Sequence, residues 1–234
     1  MSVADNIARI QERIQSATTR AGRDASEITL MAVSKTFPAD SIREAYDAGI
    51  RVFGENRVQE FAGKIDAVRD LAGADWHLIG HLQTNKAAKA AELFHAVDSV
   101  DSVRLAKKLN EAAAVAGKKL PVLVELNVGG EAAKTGMPAD SVEFDQLLST
   151  APQLEHLLIH GMMTVPPYTE DPQQARPFFR KLREVRDQVA KRQLPGVSME
   201  VLSMGMSHDF EVAIEEGSTC VRVGTAIFGS RQKT

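Results

Sequence analysis

Lys35 ends a short apolar run, Ile28-Thr29-Leu30-Met31-Ala32-Val33-Ser34, and a helix start follows it. A lysine in that place is commonly a surface charge whose stem lies along apolar neighbours. Held in an apolar pocket beside another cation, the same ammonium gives up its proton more readily, and its amine can form a Schiff base with a carbonyl ligand. Far along the chain, Ser203-Met204-Gly205-Met206-Ser207 and Gly224-Thr225 close two further apolar runs. Glycines there let the backbone approach a ligand, the hydroxyls of Ser203, Ser207 and Thr225 can donate, and backbone N–H groups can face an anion. The competing reading is that Ser207 caps a helix over 209–216 and the glycines only turn the chain.

A lysine together with a phosphate cradle points to a phosphorylated aldehyde, of which pyridoxal phosphate is the commonest cofactor. Arg222 sharpens this, because strand alternation puts it on the face of Gly224 and opposite Val221 and Val223. Two partners suit it: a buried carboxylate such as Glu125, or the cofactor's pyridine nitrogen. A guanidinium at that nitrogen keeps its own proton and leaves the ring a weak electron sink.

The elements that must position these residues alternate. Val3, Ile7, Ile10, Ile14 and Ala17 form one apolar helix face over residues 2–22, ending at Gly22. Strands are predicted at Ile28–Lys35, Arg51–Asn56, Trp76–Gly80, Leu93–Val100, Pro121–Val128, Leu154–Thr164, Val197–Leu202 and Cys220–Gly224. Helical periodicity separates them: a capping box Ser41-Ile42-Arg43-Glu44 opening a helix stopped by Gly49, a helix through Val58, Phe61, Ile65 and Val68, then Ala106-Leu109-Ala113 and Phe178-Leu182-Val185-Val189. The strands are continuous β-branched or leucine runs, as a parallel sheet covered on both faces requires. Eight of them predict a (β/α)8 TIM-type barrel in one domain over residues 1–234, although a doubly wound open sheet shares the alternation. In a barrel the strand C-termini carry function, and here they are polar.

With 234 residues, 44% hydrophobic, 25% charged and a net charge of −3, the chain has no global field to draw nucleic acid or an anionic membrane. No apolar run approaches the ~20 residues of a membrane span and no signal peptide opens the chain, which predicts a cytoplasmic protein with small molecules and proteins as partners. The single cysteine, Cys220, excludes an internal disulfide and reads as a buried structural thiol. Gly130-Glu131-Ala132-Ala133-Lys134-Thr135 lacks the second glycine of a P-loop. His77 and His81 have metal-ligand spacing but no carboxylate motif beside them, so zinc is not expected; Asp98 and Asp101 read as helix caps, His156 and His160 as structural, and Tyr46 as a core residue.

Five ordered stretches, Ala32-Val33-Ser34-Lys35-Thr36, Phe53-Gly54-Glu55-Asn56-Arg57-Val58-Gln59-Glu60, Trp76-His77-Leu78-Ile79-Gly80-His81-Leu82-Gln83-Thr84-Asn85-Lys86, Leu202-Ser203-Met204-Gly205-Met206-Ser207 and Val221-Arg222-Val223-Gly224-Thr225-Ala226-Ile227-Phe228-Gly229, resemble the pyridoxal phosphate homeostasis proteins. The resemblance spans nearly the whole chain. It implies a barrel similar to the N-terminal domain of alanine racemase, with pyridoxal 5'-phosphate bound as an aldimine on Lys35 and lined by Asn56, Ser203, Arg222, Gly224 and Thr225. His81, Met204 and Gly205, at the same strand ends, complete the candidate cofactor set; no catalytic residue and no metal ligand is assigned.

The implied role is storage or delivery of the cofactor, with influence on amino-acid and keto-acid balance, apo-enzymes as recipients and a monomeric state. The alternatives are an amino-acid racemase, which needs a second acid/base facing Lys35 where this chain offers only Tyr46 and Tyr168, and a Schiff-base aldolase whose lysine works without a cofactor. Lys134 is the next lysine for attachment should Lys35 not serve.

Overall fold

Eight parallel strands pair in chain order, β1 Thr29–Val33, β2 Val52–Glu55, β3 Asp75–Leu78, β4 Ala96–Val100, β5 Leu120–Glu125, β6 Leu157–Met163, β7 Val197–Met206 and β8 Cys220–Val223, and β8 pairs back onto β1 to close a barrel. The computed structural model describes residues 2–131 and 134–229. Helices α1 Val3–Ala21, α2 Ala39–Asp47, α3 Val58–Ala62, α4 Ala87–Leu93, α5 Val103–Val115, α6 Val142–Thr150, α7 Arg176–Lys191, α8 Phe210–Glu215 and α9 Thr225–Phe228 wrap it. Among the described residues no helix is long and apolar enough to cross a membrane.

Strand alternation sorts the side chains into two buried regions. Outward-facing Ala32, Phe53, Trp76, Leu78, Val97, Val122, Val124, Leu202, Val221 and Val223 meet the helices in one continuous apolar core. There Phe53 stacks on Trp76 and Phe61 touches both Trp76 and Phe94, each pair with ring centroids 4.9 Å apart. Met31, Val33, Ala96, Leu123, Met163 and Cys220 are equally buried but stand apart from that core, on the inner face. The inside also holds charge, because Asp98, Glu125 and Arg222 are each at most 4% exposed.

The leading helix has the expected span, with Ser2 and Asp5 forming a capping box and Gly22 closing it in the left-handed conformation. Its apolar face packs on α8 and α9, and the Asn6 amide donates to the Ile227 carbonyl at 2.8 Å, so α1 fixes the short helix that follows β8.

Four expectations are corrected. Helix α2 starts at Ala39 behind Pro38, not at a Ser41–Glu44 capping box; the proline holds the chain extended, at φ −72° and ψ 165°, until the helix begins. The helix after β2 stops at Ala62, because Gly63 interrupts it, and a separate 3-10 turn covers Ile65–Ala67. Strand β7 runs on to Met206, pairing Ser203 with Cys220 and Met206 with Arg222, which puts Ser203 to Met206 on the sheet. Tyr46 is only partly buried, with its hydroxyl donating to the Ala72 carbonyl at 2.6 Å.

Replacing Phe61 by alanine removes the ring between Trp76 and Phe94. The expected cost is about 3–5 kcal/mol, read as a lower urea midpoint, with a red-shifted emission from the chain's single tryptophan. Unchanged emission would show that Phe61 does not shield Trp76.

Candidate cofactor site

Lys35 lies one residue past Ser34 at the C-terminal end of β1, and its Nζ donates to Asn56 Oδ1 at 3.4 Å. Alternation puts Asn56 on the inner face of β2 with Gly54, whose missing side chain leaves room for Met31; a Cβ there would lie 2.8 Å from the Met31 sulfur. Gly80, past β3, is fixed by the same neighbour, since a Cβ on it would fall 2.2 Å from the Asn56 carbonyl oxygen. The Gly80 carbonyl in turn accepts from Ser99 at 2.7 Å.

The turn that carries Lys35 is strained and held from behind. Thr36 has φ +68°, a left-handed conformation unfavourable for a β-branched residue. Its N–H donates to Glu60 Oε1 at 2.6 Å, and Lys64 binds the same carboxylate oxygen at 2.6 Å, the Ser34 carbonyl at 3.2 Å and Glu55 at 3.3 Å. Ser34 Oγ donates to Glu55 at 2.7 Å. Burial pushes the Glu55 carboxyl up, with Ser34 and Lys64 opposing. Burial also acts on Glu60, but the bonds from Lys64 and Thr36 outweigh it and hold its carboxyl low. This network sits outside the barrel wall, which is why the Gly54-Glu55-Asn56 stretch reads as one motif yet splits between two faces.

On β8, the other neighbour of β1, Arg222 is buried and donates to Ser203 Oγ at 2.6 Å and to the Thr164 carbonyl at 2.7 Å. Burial pushes its pKa down, against the fields of Cys220, Asp98, Glu125 and Asp209. The direct ion pair with Glu125 is not formed; Glu125 Oε1 accepts from Thr135 at 2.6 Å, while its buried Oε2 has no hydrogen-bond partner. Burial raises the pKa of Glu125, with the bond from Thr135 and the field of Arg222 opposing. Burial pushes the Cys220 thiol up to about 12, as a structural thiol requires.

After β7 and β8, Gly224 N and Ala226 N both donate to Ser207 Oγ, at 3.3 and 3.4 Å. Ser207 therefore does not cap α8. Asp209 holds that N-cap place without a side-chain cap bond, and its carboxylate accepts from Met206 N at 2.7 Å. Two N–H groups converging on one oxygen through long bonds form a cradle that an anionic oxygen can take over. Thr225 is exposed beside it.

Lys35, Asn56, Gly224 and Thr225 thus lie just past the strand ends of one barrel mouth, with Arg222 and Ser203 buried within β8 and β7 below them. Met204 and Gly205 follow Ser203 on β7 and are packed toward the helices. The Met204 side chain lies in the outer core, and Gly205, at φ +94°, is fixed by packing, a Cβ there falling 2.5 Å from that of Ala213. His81 stands at the rim, bonded to Asp101 at 2.9 Å. The carboxylates that the spacing of His77 and His81 does not reveal come from β4 and its end: Asp98 binds His77 Nδ1 at 3.0 Å inside the barrel, and the cap of α5 is Ser102. No cluster of three or more metal-ligating side chains occurs among the described residues.

A cavity of about 640 Å³ opens at the opposite end, lined by Thr29, His77, Ala96, His160 and Cys220. Its rim carries Glu27, Asp75 and Glu200, the wrong charge for a phosphate. Lys134, the alternative lysine, pairs with Glu131 at 2.5 Å; residues 132 and 133 of that stretch lie outside the described residues.

Comparison with known proteins agrees with this fold. A family model described as alanine racemase, N-terminal domain, matches residues 6–232. The chain is 44% identical to the pyridoxal phosphate homeostasis protein of Aquifex aeolicus, covering 99% of this chain and 100% of that one. It is 41% identical to the protein of that name from Escherichia coli K12, over 98% and 97%. The structure of PipY from Synechococcus elongatus PCC7942 with PLP bound superposes with a TM-score of 0.85 at 35% identity, covering 97% of this chain and all of that one, 100%. Alanine racemase of Clostridium difficile shares the fold, at TM-score 0.72 and 16% identity over 98% of this chain and 58% of that one.

The buried charges generate a pH dependence. Burial alone would push the His77 imidazole down, but Asp98 and Asp75 outweigh it and hold the imidazolium up to about 10 from 6.5. A raised pKa gives stability that is complete below the unfolded value and lost as pH rises through the folded one. Unfolding free energy is therefore expected to fall between pH 6.5 and about 10, by up to about 1.4 kcal/mol per pH unit. His77→Gln should flatten that decline in urea titrations, and an undiminished slope would assign it elsewhere.

Proposed function

The chain belongs to the pyridoxal phosphate homeostasis protein family, and from that premise we propose that it binds pyridoxal 5'-phosphate through Lys35 and stores or delivers it inside the cell. The observation that carries this reading is the arrangement of three unlike groups at one barrel mouth. Lys35 meets Asn56, Arg222 is anchored by Ser203 and Thr164, and two N–H groups converge at Ser207. Each suits one part of the cofactor: the amine its aldehyde carbon, the guanidinium its pyridine nitrogen, the cradle its phosphate. When bound, the cofactor supplies an electrophilic carbon and an electron sink of modest strength.

The residues divide the work of holding it. Asn56 orients the lysine amine from the neighbouring strand, and the Glu60–Lys64 pair keeps the turn around Lys35 from relaxing. Arg222 has spent two donors on Ser203 and Thr164, so it is fixed in the barrel with further N–H groups to offer. The unpartnered Glu125 oxygen is a second polar atom consistent with a ligand in the barrel mouth. We further place this function in the cytoplasm, in a monomer, with apo-enzymes that need the cofactor as recipients.

The racemase reading has less support. Tyr46 spends its hydroxyl on the helix side, and Tyr168 is 78% exposed, with its ring centroid 5.5 Å from that of His208. The relatives named racemases share the fold alone.

Purified protein is expected to absorb at about 420 nm when the cofactor's aldehyde carbon is joined to the lysine amine, and Lys35→Ala to abolish that band. Its persistence would move the attachment to Lys134. Arg222→Ala should weaken retention of the cofactor on dialysis and destabilise the fold, leaving Ser203 and the Thr164 carbonyl without their donor. Interconversion of D- and L-amino acids at more than about 1 per second would overturn the carrier reading.

A further inference from the structure

The loops after β2 and β3 contain polar residues that the cofactor reading leaves unused. They enclose a cleft of about 230 Å³ lined by Asn56, Arg57, Gln59, His81, Gln83 and Lys86, with Val58 and Leu82. At ~30 Å³ of liquid volume per water molecule it has room for roughly eight waters, a size that suits a small metabolite. No carboxylate lines it. His81 already pairs with Asp101, so the cationic groups left to face an occupant are Arg57 and Lys86. Asn56, Gln59 and Gln83 add amide N–H donors.

The position of the cleft narrows the choice further. Asn56 is shared: it lines the cleft and accepts from Lys35 Nζ at 3.4 Å. A ligand in the cleft is therefore separated from the lysine amine by no more than the Asn56 residue that both share. The phosphate cradle lies elsewhere on the mouth, after β7 and β8, where Gly224 and Ala226 N–H groups meet Ser207. A second anion-binding place beside Lys35 is thus separate from the one assigned to the cofactor's own phosphate. A planar guanidinium with neighbouring amide donors matches the two oxygens of a carboxylate, which it can bind through paired N–H bonds.

We propose that this cleft is a carboxylate subsite, in which Arg57 and Lys86 hold the carboxylate of a small amino acid or 2-oxo acid next to Lys35. The proposal rests on the cofactor reading for its purpose, since an amino acid so placed has its amine beside the group that holds the cofactor. Its occupancy depends only on the cleft. Arg57 is exposed, just before α3, and Lys86 is half-buried, just before α4. Both can be changed without opening the core.

The test uses the isotopically labelled full chain, stripped of cofactor, titrated separately with L-alanine, pyruvate, ethylamine and inorganic phosphate while backbone amide signals are followed. L-alanine or pyruvate should shift the signals of residues 57–59 and 83–86, the two arms telling an amino acid from an oxo acid as the occupant. Ethylamine, which lacks the carboxylate, should not. Arg57→Ala and Lys86→Ala should each weaken that binding about tenfold, roughly the loss of one charge-assisted contact. The holo-protein of either variant should retain its cofactor absorbance. Equal shifts from ethylamine, tighter binding of inorganic phosphate than of either carboxylate, or unchanged affinity in both variants would overturn the subsite. Absence of the absorbance band from the parent protein would instead overturn the cofactor reading, while the titration of the stripped chain still decides the cleft.

Discussion

A guanidinium inside a closed barrel is the constraint on which the rest of this structure depends. A buried charge is tolerated only when hydrogen bonds and opposite charge replace the water it has lost. Arg222 meets that demand by bonding Ser203 on β7 and the Thr164 carbonyl just past β6. The demand explains why β7 extends through Ser203 to Met206, since a strand that ended at Leu202 would leave Ser203 in a loop and the guanidinium without a fixed acceptor. Asp98, Glu125 and Asp209 add negative potential around it.

Alternation along the strands turns that constraint into a working mouth. Inner positions carry Lys35, Asn56 and Arg222, while the neighbouring outer positions carry Ser34, Glu55 and Val223. The outer positions are not idle. Glu55, Glu60 and Lys64 form a bonded cluster behind β1 and β2 that holds the left-handed turn at Thr36, and with it the direction of the Lys35 side chain. The site is thus built in two layers, one that faces the ligand and one that keeps the backbone in a conformation it would not choose unaided.

Periodicity made the architecture legible: all eight strands and the long helices α1, α5 and α7 fall where apolar spacing puts them, because burying a strand on both faces or a helix on one leaves a direct mark on the sequence. What periodicity could not show was pairing between neighbouring strands. His77 and Asp98 are 21 residues apart and lie on adjacent strands, so the carboxylate that holds the imidazolium looked like a helix cap. Ser207 likewise looked like a cap for the helix beside it, whereas it takes N–H groups from the next strand end. Lys35 and Arg222 were legible as chemistry because each interrupts an apolar run. Glu60 and Lys64 were not, since an i,i+4 acid–base pair on a helix is an ordinary surface feature until the turn it supports is seen.

The charges inside the barrel are ordered along its axis, and that order bears on which end can hold an anion. At the lower end Asp98 pairs with the His77 imidazolium, and the rim beyond carries Glu27, Asp75 and Glu200. Near the upper end Glu125 faces Arg222 without a direct ion pair, its Oε1 accepting from Thr135. The upper mouth is left with the cations Arg222 and Lys35 and with inward-turned backbone N–H groups, a field that attracts phosphate and carboxylate. The floor of the barrel is thus rimmed by carboxylates, while the mouth sets the cations Lys35 and Arg222 among Glu125 and Asp209.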